Sequence, residues 1–105
     1  MKAPVRVSLT SKQRKKLRGM ANTLVPTLIV GKNNVNDGVV YEADDLLEGA
    51  ELVKCSVLET SDLTAREACD EVCRRLAAEP VQVIGRKFTI YRRSNRKDFK
   101  HIPLD

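Results

Sequence analysis

Helical and strand patterns alternate along this chain of 105 residues, and this alternation limits the fold more than any other feature. Apolar residues recur with a helical period from residue 17 to residue 24, which predicts a helix that begins near Thr10 or Ser11. Pro26 ends that pattern, and the β-branched run 27–30 that follows predicts a buried strand that stops at Gly31.

The same alternation continues in the rest of the chain. Asn36 is expected to cap a second helix, with an inward face of Val39, Ala43, Leu46, Leu47 and Ala50. Residues 52–58 alternate in polarity and predict a second strand, with Val53, Cys55 and Val57 on one face. Thr64 and Glu67 form a capping-box pattern for a third helix that buries Ala65, Ala68, Cys69, Val72 and Leu76. Residues 81–84 and 87–91 predict a hairpin with its turn at Gly85 and Arg86.

The resulting order, αβαβαββ, predicts an α/β two-layer sandwich in which helices pack on a four-stranded mixed sheet. A chain of this length has room for one core and therefore one domain. No apolar run approaches the roughly 18 residues of a membrane span, and residues 1–8 do not resemble a signal peptide. We therefore expect a cytoplasmic protein with no membrane partner.

Charge is segregated along the chain, although the net charge is only +5. Residues 12–18 carry five cations and no anion, and residues 86–100 carry seven cations against Asp98 alone. Between them, residues 37–79 hold twelve carboxylates against four cations. If the fold brings the two basic stretches together, they form a positive face that attracts a polyanion such as RNA.

A polar turn, Gly31-Lys32-Asn33-Asn34, joins the first strand to the second helix. Backbone N–H groups at such a turn and at a helix N-terminus can bind a phosphate, and Lys32 adds positive charge. The alternative is that Gly31 only makes a tight turn. Asp37 opposes anion binding because it adds a like charge at the start of the helix.

The sequence gives no pattern for catalysis, a cofactor or a metal. The odd number of cysteines, Cys55, Cys69 and Cys73, without a CxxC pair predicts buried, reduced thiols. Asp44 and Asp45 are adjacent on a helix and point apart, so they predict a solvated surface and not an acid/base pair. We therefore expect no enzyme activity and no small-molecule substrate.

Three segments in order resemble the CRM domain family (chloroplast RNA splicing and ribosome maturation), and in particular its stand-alone bacterial YhbY-type members. They are residues 9–21, residues 30–33 and residues 81–92. The resemblance implies a fold similar to the C-terminal domain of translation initiation factor 3, with RNA as ligand. It further implies an association with ribosomal RNA in large-subunit precursors. Members of the family carry a GxxG loop, and here Asn34 stands in place of the second glycine, so we expect a positive φ at Asn34.

With the resemblance, the predicted organisation is an N-terminal extension (1–8), a CRM-like domain (9–93) and a basic C-terminal tail (94–105), which is either an ordered edge or mobile. The predicted RNA contacts are Lys12, Arg14, Lys15, Lys16, Arg18, Gly31, Lys32, Asn33, Asn34, Arg86, Lys87, Arg92 and Arg93. Four aromatic residues are too few for a base-stacking platform, so we expect contacts to the RNA backbone and shape. The alternatives are a general RNA-binding protein and a protein-interaction adaptor that uses the acidic helices.

Overall fold

The computed structural model of the protein describes residues 8–104, so the predicted extension at residues 1–8 lies almost wholly outside the described residues. Within 8–104 the chain forms three helices and four strands in the predicted order αβαβαββ. The helices are α1 (Ser11–Ala21), α2 (Asp37–Ala50) and α3 (Ala65–Leu76). The strands are β1 (Leu28–Val30), β2 (Leu52–Val57), β3 (Glu79–Ile84) and β4 (Lys87–Tyr91).

Each helix begins at a residue whose side chain caps it. Thr10 accepts a hydrogen bond from the backbone of Gln13, and Thr64 accepts one from Glu67, each within a complete capping box. The Asn36 side chain accepts from the backbone N–H of Val39 at the start of α2. The helix starts predicted from these local patterns are therefore confirmed.

The four strands form one mixed sheet in the order β1-β2-β4-β3. β1 is parallel to β2, with Val30 beside Val57, and the other neighbouring pairs are antiparallel. β3 and β4 form the predicted hairpin, although β3 begins at Glu79 and contains an irregularity between Pro80 and Gln82. β3 is an edge strand of the sheet, where a proline is tolerated because no second neighbour needs its missing N–H.

The two faces of the sheet are covered differently. α2 and α3 pack on one face over alternate strand residues, among them Val53, Cys55 and Ile90. On the other face Leu17 of α1 packs with Leu52 and Tyr91, near one end of the sheet. The predicted sandwich of helices on a sheet is confirmed for α2 and α3, and α1 adds partial cover on the opposite face.

Two predictions of inward-facing residues differ from the structure. In α2 the buried face contains Val40, while Ala50 is exposed because α2 ends there and Glu51 turns away with a φ of 67°. In β1 the two flanking residues are buried, but Ile29 is half-exposed on the face that α1 covers only in part. β1 is therefore buried on one face only.

The segment that follows Arg93 packs on the domain as far as residue 104. Of the two predicted alternatives, an ordered edge or a mobile tail, the ordered one fits this structure. Ile102 and Leu104 pack against the cluster that contains Leu17. The Glu51 carboxylate accepts hydrogen bonds from the backbone N–H groups of Ser94 at 2.7 Å and Ile102 at 2.8 Å. A buried carboxylate thus holds a stretch that appears hydrophilic in the sequence. None of the helices within the described chain is long and apolar enough to cross a membrane.

Candidate functional site

α1 presents a row of cations on its exposed side. Leu17 and Ala21 are buried, and helical geometry therefore turns Lys12, Lys15, Lys16 and Arg18 outward. All four are exposed, and none has a carboxylate partner among residues 8–104. We call these four residues the α1 ridge.

Arg14 differs from its neighbours on α1. Its side chain is two-thirds buried, and its guanidinium lies 3.8 Å from the carboxylate of Glu79 at the start of β3. This position links α1 to the edge of the sheet. Arg14 therefore has a structural contact that the run of cations in the sequence did not indicate.

The turn at residues 31–34, here called the Gly31 loop, has the backbone geometry predicted for it. The N–H of Asn34 donates to the carbonyl of Gly31 at 2.9 Å. Asn34 has a φ of 56°, which confirms the predicted left-handed conformation. Lys32 and Asn33 are exposed at the tip of this loop.

The Asn34 side chain also joins the Gly31 loop to the loop between β2 and α3. Its Oδ1 accepts hydrogen bonds from the Ser61 hydroxyl at 2.7 Å and from the Asp62 N–H at 2.9 Å. A glycine at this position has the required φ but no side chain to make this connection. Sequence reasoning missed the connection because its partners are 27 and 28 residues away.

The negative charge of Asp37, expected to oppose an anion at the start of α2, is paired in the structure. Arg75 of α3 donates to Asp37 Oδ1 at 2.7 Å and to the carbonyl of Val35 at 3.3 Å. This ion pair offsets the like charge near the helix N-terminus. Asp37 therefore opposes an anion near the Gly31 loop less than its charge alone suggested, although the Asp62 carboxylate lies 3.5 Å from Asn34 Nδ2.

The β3–β4 turn lies at the same end of the strands as the Gly31 loop. Arg86 donates to the carbonyl oxygens of Val57 at 2.9 Å and Leu58 at 2.5 Å, which fixes the turn beside the end of β2. The N–H of Leu58 in turn donates to the carbonyl of Val30, immediately before the loop. The fold thus brings Lys32, Arg86 and the exposed Lys87 to one end of the sheet.

Arg92 does not fit the predicted interface. Its side chain is 8% exposed, and its guanidinium donates to Asp44 at 2.7 Å, to Glu48 at 3.1 Å and to the carbonyl of Leu76 at 3.2 Å. These contacts join the chain after β4 to α2 and α3, so we leave Arg92 out of the candidate site. Arg93 is exposed but lies at the opposite end of β4 from Lys87.

The charge segregation in the sequence becomes a difference between two sides of the molecule. On α3 the three exposed cations are paired, since Arg66 lies 3.9 Å from Asp70, Arg74 2.8 Å from Glu71 and Arg75 2.7 Å from Asp37. The α1 ridge on the other face lacks such partners within the described residues. Within the described residues, exposed cations without a carboxylate partner therefore lie on α1, at the end of the sheet that carries the Gly31 loop, and in the C-terminal segment at Arg93, Arg96, Lys97 and Lys100.

The three cysteines are buried and free, as predicted. Burial raises the pKa of the Cys55 thiol, and a hydrogen bond with Cys73 lowers the pKa of Cys69. Within residues 8–104, no group of His, Cys, Asp and Glu side chains is arranged to hold a metal ion.

The fold and this surface define a small α/β domain with a basic side and a glycine-led loop at a helix N-terminus. A model of the CRS1/YhbY (CRM) domain matches residues 9–92, so the chain belongs to the CRM domain family. The CRM domain is non-catalytic, in agreement with the prediction that this chain is not an enzyme.

Proteins from several bacteria are similar to this chain over most of their length. "Probable RNA-binding protein YqeI" of Bacillus subtilis is 34% identical over 91% of this chain and 98% of the relative. "Probable RNA-binding protein PA4753" of Pseudomonas aeruginosa is 31% identical over 84% of this chain and 85% of the relative. The solution structure of the hypothetical protein SAV1595 from Staphylococcus aureus is similar with a TM-score of 0.65 at 34% identity, over 87% of this chain and 95% of that one.

Proposed function

We propose that this protein binds RNA through a basic surface in three parts. That surface consists of the α1 ridge, the Gly31 loop and the β3–β4 turn with Arg86 and Lys87. The observation that carries the proposal is the uncompensated charge of the α1 ridge, in a domain that pairs all three exposed cations of α3. The names of the curated relatives, which are RNA-binding proteins, support the same ligand.

Each part of the surface has a distinct task in this proposal. The α1 ridge and Lys87 attract phosphates over a distance, while the Gly31 loop supplies backbone N–H groups and Lys32 at the start of α2. Arg86 already donates to two carbonyl oxygens, so its task is to hold the turn in place. Such a surface recognises the backbone and shape of folded RNA more than the identity of its bases.

Within this function, we propose ribosomal RNA in precursors of the large subunit as the partner, which implies a cytoplasmic location. The support is the resemblance to the CRM family, and the surface itself is suited to any folded RNA. The protein would act as an assembly factor and leave before the subunit is mature. A general RNA-binding protein without this role is the alternative.

Affinity for RNA is measured directly by fluorescence anisotropy with a labelled RNA hairpin. The parent protein is compared with the Lys15→Glu, Lys16→Glu double variant, which reverses charge on the α1 ridge without touching Leu17 or Ala21. We expect binding by the parent and a loss of at least about tenfold in the variant. Equal affinities would remove the ridge from the surface, and no binding by the parent would refute the RNA ligand.

The ribosomal partner is tested separately, by sedimentation of a cell lysate through a sucrose gradient at low salt. We expect the protein in fractions lighter than the mature large subunit and its depletion from translating ribosomes. A distribution confined to free protein or to messenger RNA complexes would contradict the assembly role. RNA binding itself would be unaffected by that result.

A further inference from the structure

α1 covers only one end of its sheet face, and the remainder of that face is an open groove of about 650 Å³. Its floor is formed by side chains that alternate with the buried core residues of β2, β3 and β4. These are Lys54 and Ser56 of β2, Gln82 and Ile84 of β3, and Thr89 of β4, with Asn22 at the C-terminal end of α1. The volume lies within the range of clefts that hold small organic ligands.

Besides Lys54, the floor of the groove offers hydrogen-bonding groups without charge. Ser56 contributes a hydroxyl group, and Gln82 and Asn22 contribute amides that donate and accept, while Thr89 lies beneath them and is almost fully buried. These are the groups that recognise the edges of unpaired bases in RNA-binding proteins. The floor therefore has the chemistry for base recognition that the small number of aromatic residues does not supply.

Apolar side chains form part of the groove wall. Ile84 is 62% exposed and Leu58 is 43% exposed, which places two of the large exposed hydrophobic residues of the described chain at this site. Exposed apolar side chains that are grouped beside polar ones are typical of a binding surface. They offer a packing surface for a ribose or for the face of a base.

Charge around the groove favours an anionic occupant. Lys54, Arg86 and Lys87 line it, against the single carboxylate of Glu59. Lys54 donates to the carbonyl of Ala21 at 3.2 Å, which fixes its position near the end of α1. Arg18 lies one helical turn before Asn22, so the α1 ridge continues into the groove.

We propose that this groove holds an unpaired segment of RNA and reads its bases. The base edges meet Ser56 and Gln82, the sugars pack against Ile84, and Lys54 and Lys87 bind the flanking phosphates. This inference rests on the proposed RNA-binding function and adds base recognition to it. The α1 ridge and the Gly31 loop then hold the backbone of a folded region next to the unpaired segment.

The test compares two kinds of labelled RNA by fluorescence anisotropy. The first kind is a single-stranded hexanucleotide of uridine, adenosine or cytidine, and the second is a blunt-ended duplex. Ser56→Leu fills the groove from its floor, and Ser56→Ala removes only the hydroxyl group. Tyr41→Leu, at an exposed position on α2, is the control for a surface leucine. Circular dichroism confirms that each variant is folded before its affinity is compared.

We expect the parent to distinguish between the hexanucleotides and Ser56→Leu to weaken the tightest one by about tenfold. Ser56→Ala should have a smaller effect, Tyr41→Leu none, and the affinity for the duplex should change by less than about twofold. Unchanged hexanucleotide affinity in Ser56→Leu, or an equal loss for both probes, would overturn the proposal. If the Ser56→Leu result overturned the groove but Lys15→Glu, Lys16→Glu still weakened binding, the RNA-binding function would stand without the groove. A parent protein that bound neither the hexanucleotides nor the duplex would refute both the RNA-binding function and the groove.

A second measurement uses the unmodified protein, in case Ser56→Leu fails to fold. Backbone amide resonances are followed by NMR during addition of the tightest hexanucleotide. We expect those of Ser56, Gln82 and Thr89 to shift. Shifts confined to α1 and the Gly31 loop would overturn the proposal and leave the groove to another occupant, such as a segment of a protein.

Discussion

The side-chain oxygen of Asn34 accepts a hydrogen bond from the Ser61 hydroxyl at 2.7 Å, and it thereby ties the Gly31 loop to the loop before α3. The same residue holds a φ of 56°, which asparagine adopts more readily than most residues. Asn34 thus combines the backbone geometry of a glycine with a connection that glycine cannot make. The loop should therefore be stiffer here than a loop with two glycines.

This double role predicts different costs for two substitutions of Asn34. Asn34→Gly keeps the φ but loses the hydrogen bonds to Ser61 and Asp62, so unfolding free energy should fall by about 1–2 kcal/mol. Asn34→Val loses the same bonds and adds backbone strain, so it should cost at least about 1 kcal/mol more. Urea denaturation measures both, with the exposed neighbour variant Asn33→Ala as control. Equal stability of the parent and Asn34→Gly would mean that the connection contributes nothing.

Glu51 is a fully buried carboxylate, and His101 Nδ1 lies 2.5 Å from its Oε2. Burial by itself raises the pKa of Glu51, but the hydrogen bonds from His101, Ser94 and Ile102 outweigh it and bring the pKa below its ordinary value of 4.5. The ionised form is therefore the one that the folded protein favours. Its stabilising effect is present above pH 4.5 and is lost as the pH falls through the lowered pKa.

We accordingly expect the packing of residues 94–104 to weaken in acid. Glu51→Gln removes the charge while it keeps the shape, and it should lower the free energy of unfolding at pH 7 by about 2 kcal/mol. The difference between parent and variant should shrink towards pH 3. Urea denaturation at several pH values measures this difference, and a difference that is independent of pH would contradict the assigned role of the charge.

Arg92 and Arg93 are neighbours in sequence with opposite surroundings. Arg92→Ala leaves the carboxylates of Asp44 and Glu48 without their partner. Because these carboxylates are partly shielded from solvent, the loss should destabilise the fold by about 2–3 kcal/mol. Arg93→Ala, at an exposed position, should change stability by less than about 0.5 kcal/mol. Thermal melts of the two variants compare them directly. A loss of RNA affinity in folded Arg92→Ala with unchanged stability would restore Arg92 to the interface.

RNA binding should weaken steeply with salt, because phosphate contacts release counterions. Theory gives a log–log slope of roughly −0.7 for each phosphate contact on a single strand. Lys15→Glu, Lys16→Glu should therefore reduce the slope by about 1.4 when both lysines make such contacts. Arg66→Glu, Arg74→Glu makes the same change in net charge on the α3 side and is the matched control. Equal slopes in the two variants would mean that only net charge matters.

Much of the fold follows from local patterns. The capping boxes at Thr10 and Thr64 set the starts of α1 and α3, and the alternation in β2 set its faces, because each depends on residues within a few positions of one another. The positive φ at Asn34 was predicted from the resemblance to a GxxG loop and is confirmed. Local interactions and hydrophobic periodicity were sufficient for the helix starts and the strand faces.

The surroundings of individual charges could not be predicted in this way. Arg92 and Arg93 look alike in the sequence, yet contacts with Asp44 and Glu48, 48 and 44 residues away, make Arg92 part of the interior. Glu51 and His101, 50 residues apart, order a segment that the sequence left as either an edge or a tail.

The chain by itself therefore determined the order of the elements, the starts of the helices and the separation of charge into blocks. Only the tertiary structure decided which cations remain unpaired and which part of the sheet stays uncovered. The physical reason is the separation in sequence of the interacting residues, because capping and periodicity act between residues a few positions apart. Burial and ion pairing depend on which distant residues the sheet register and helix packing bring together.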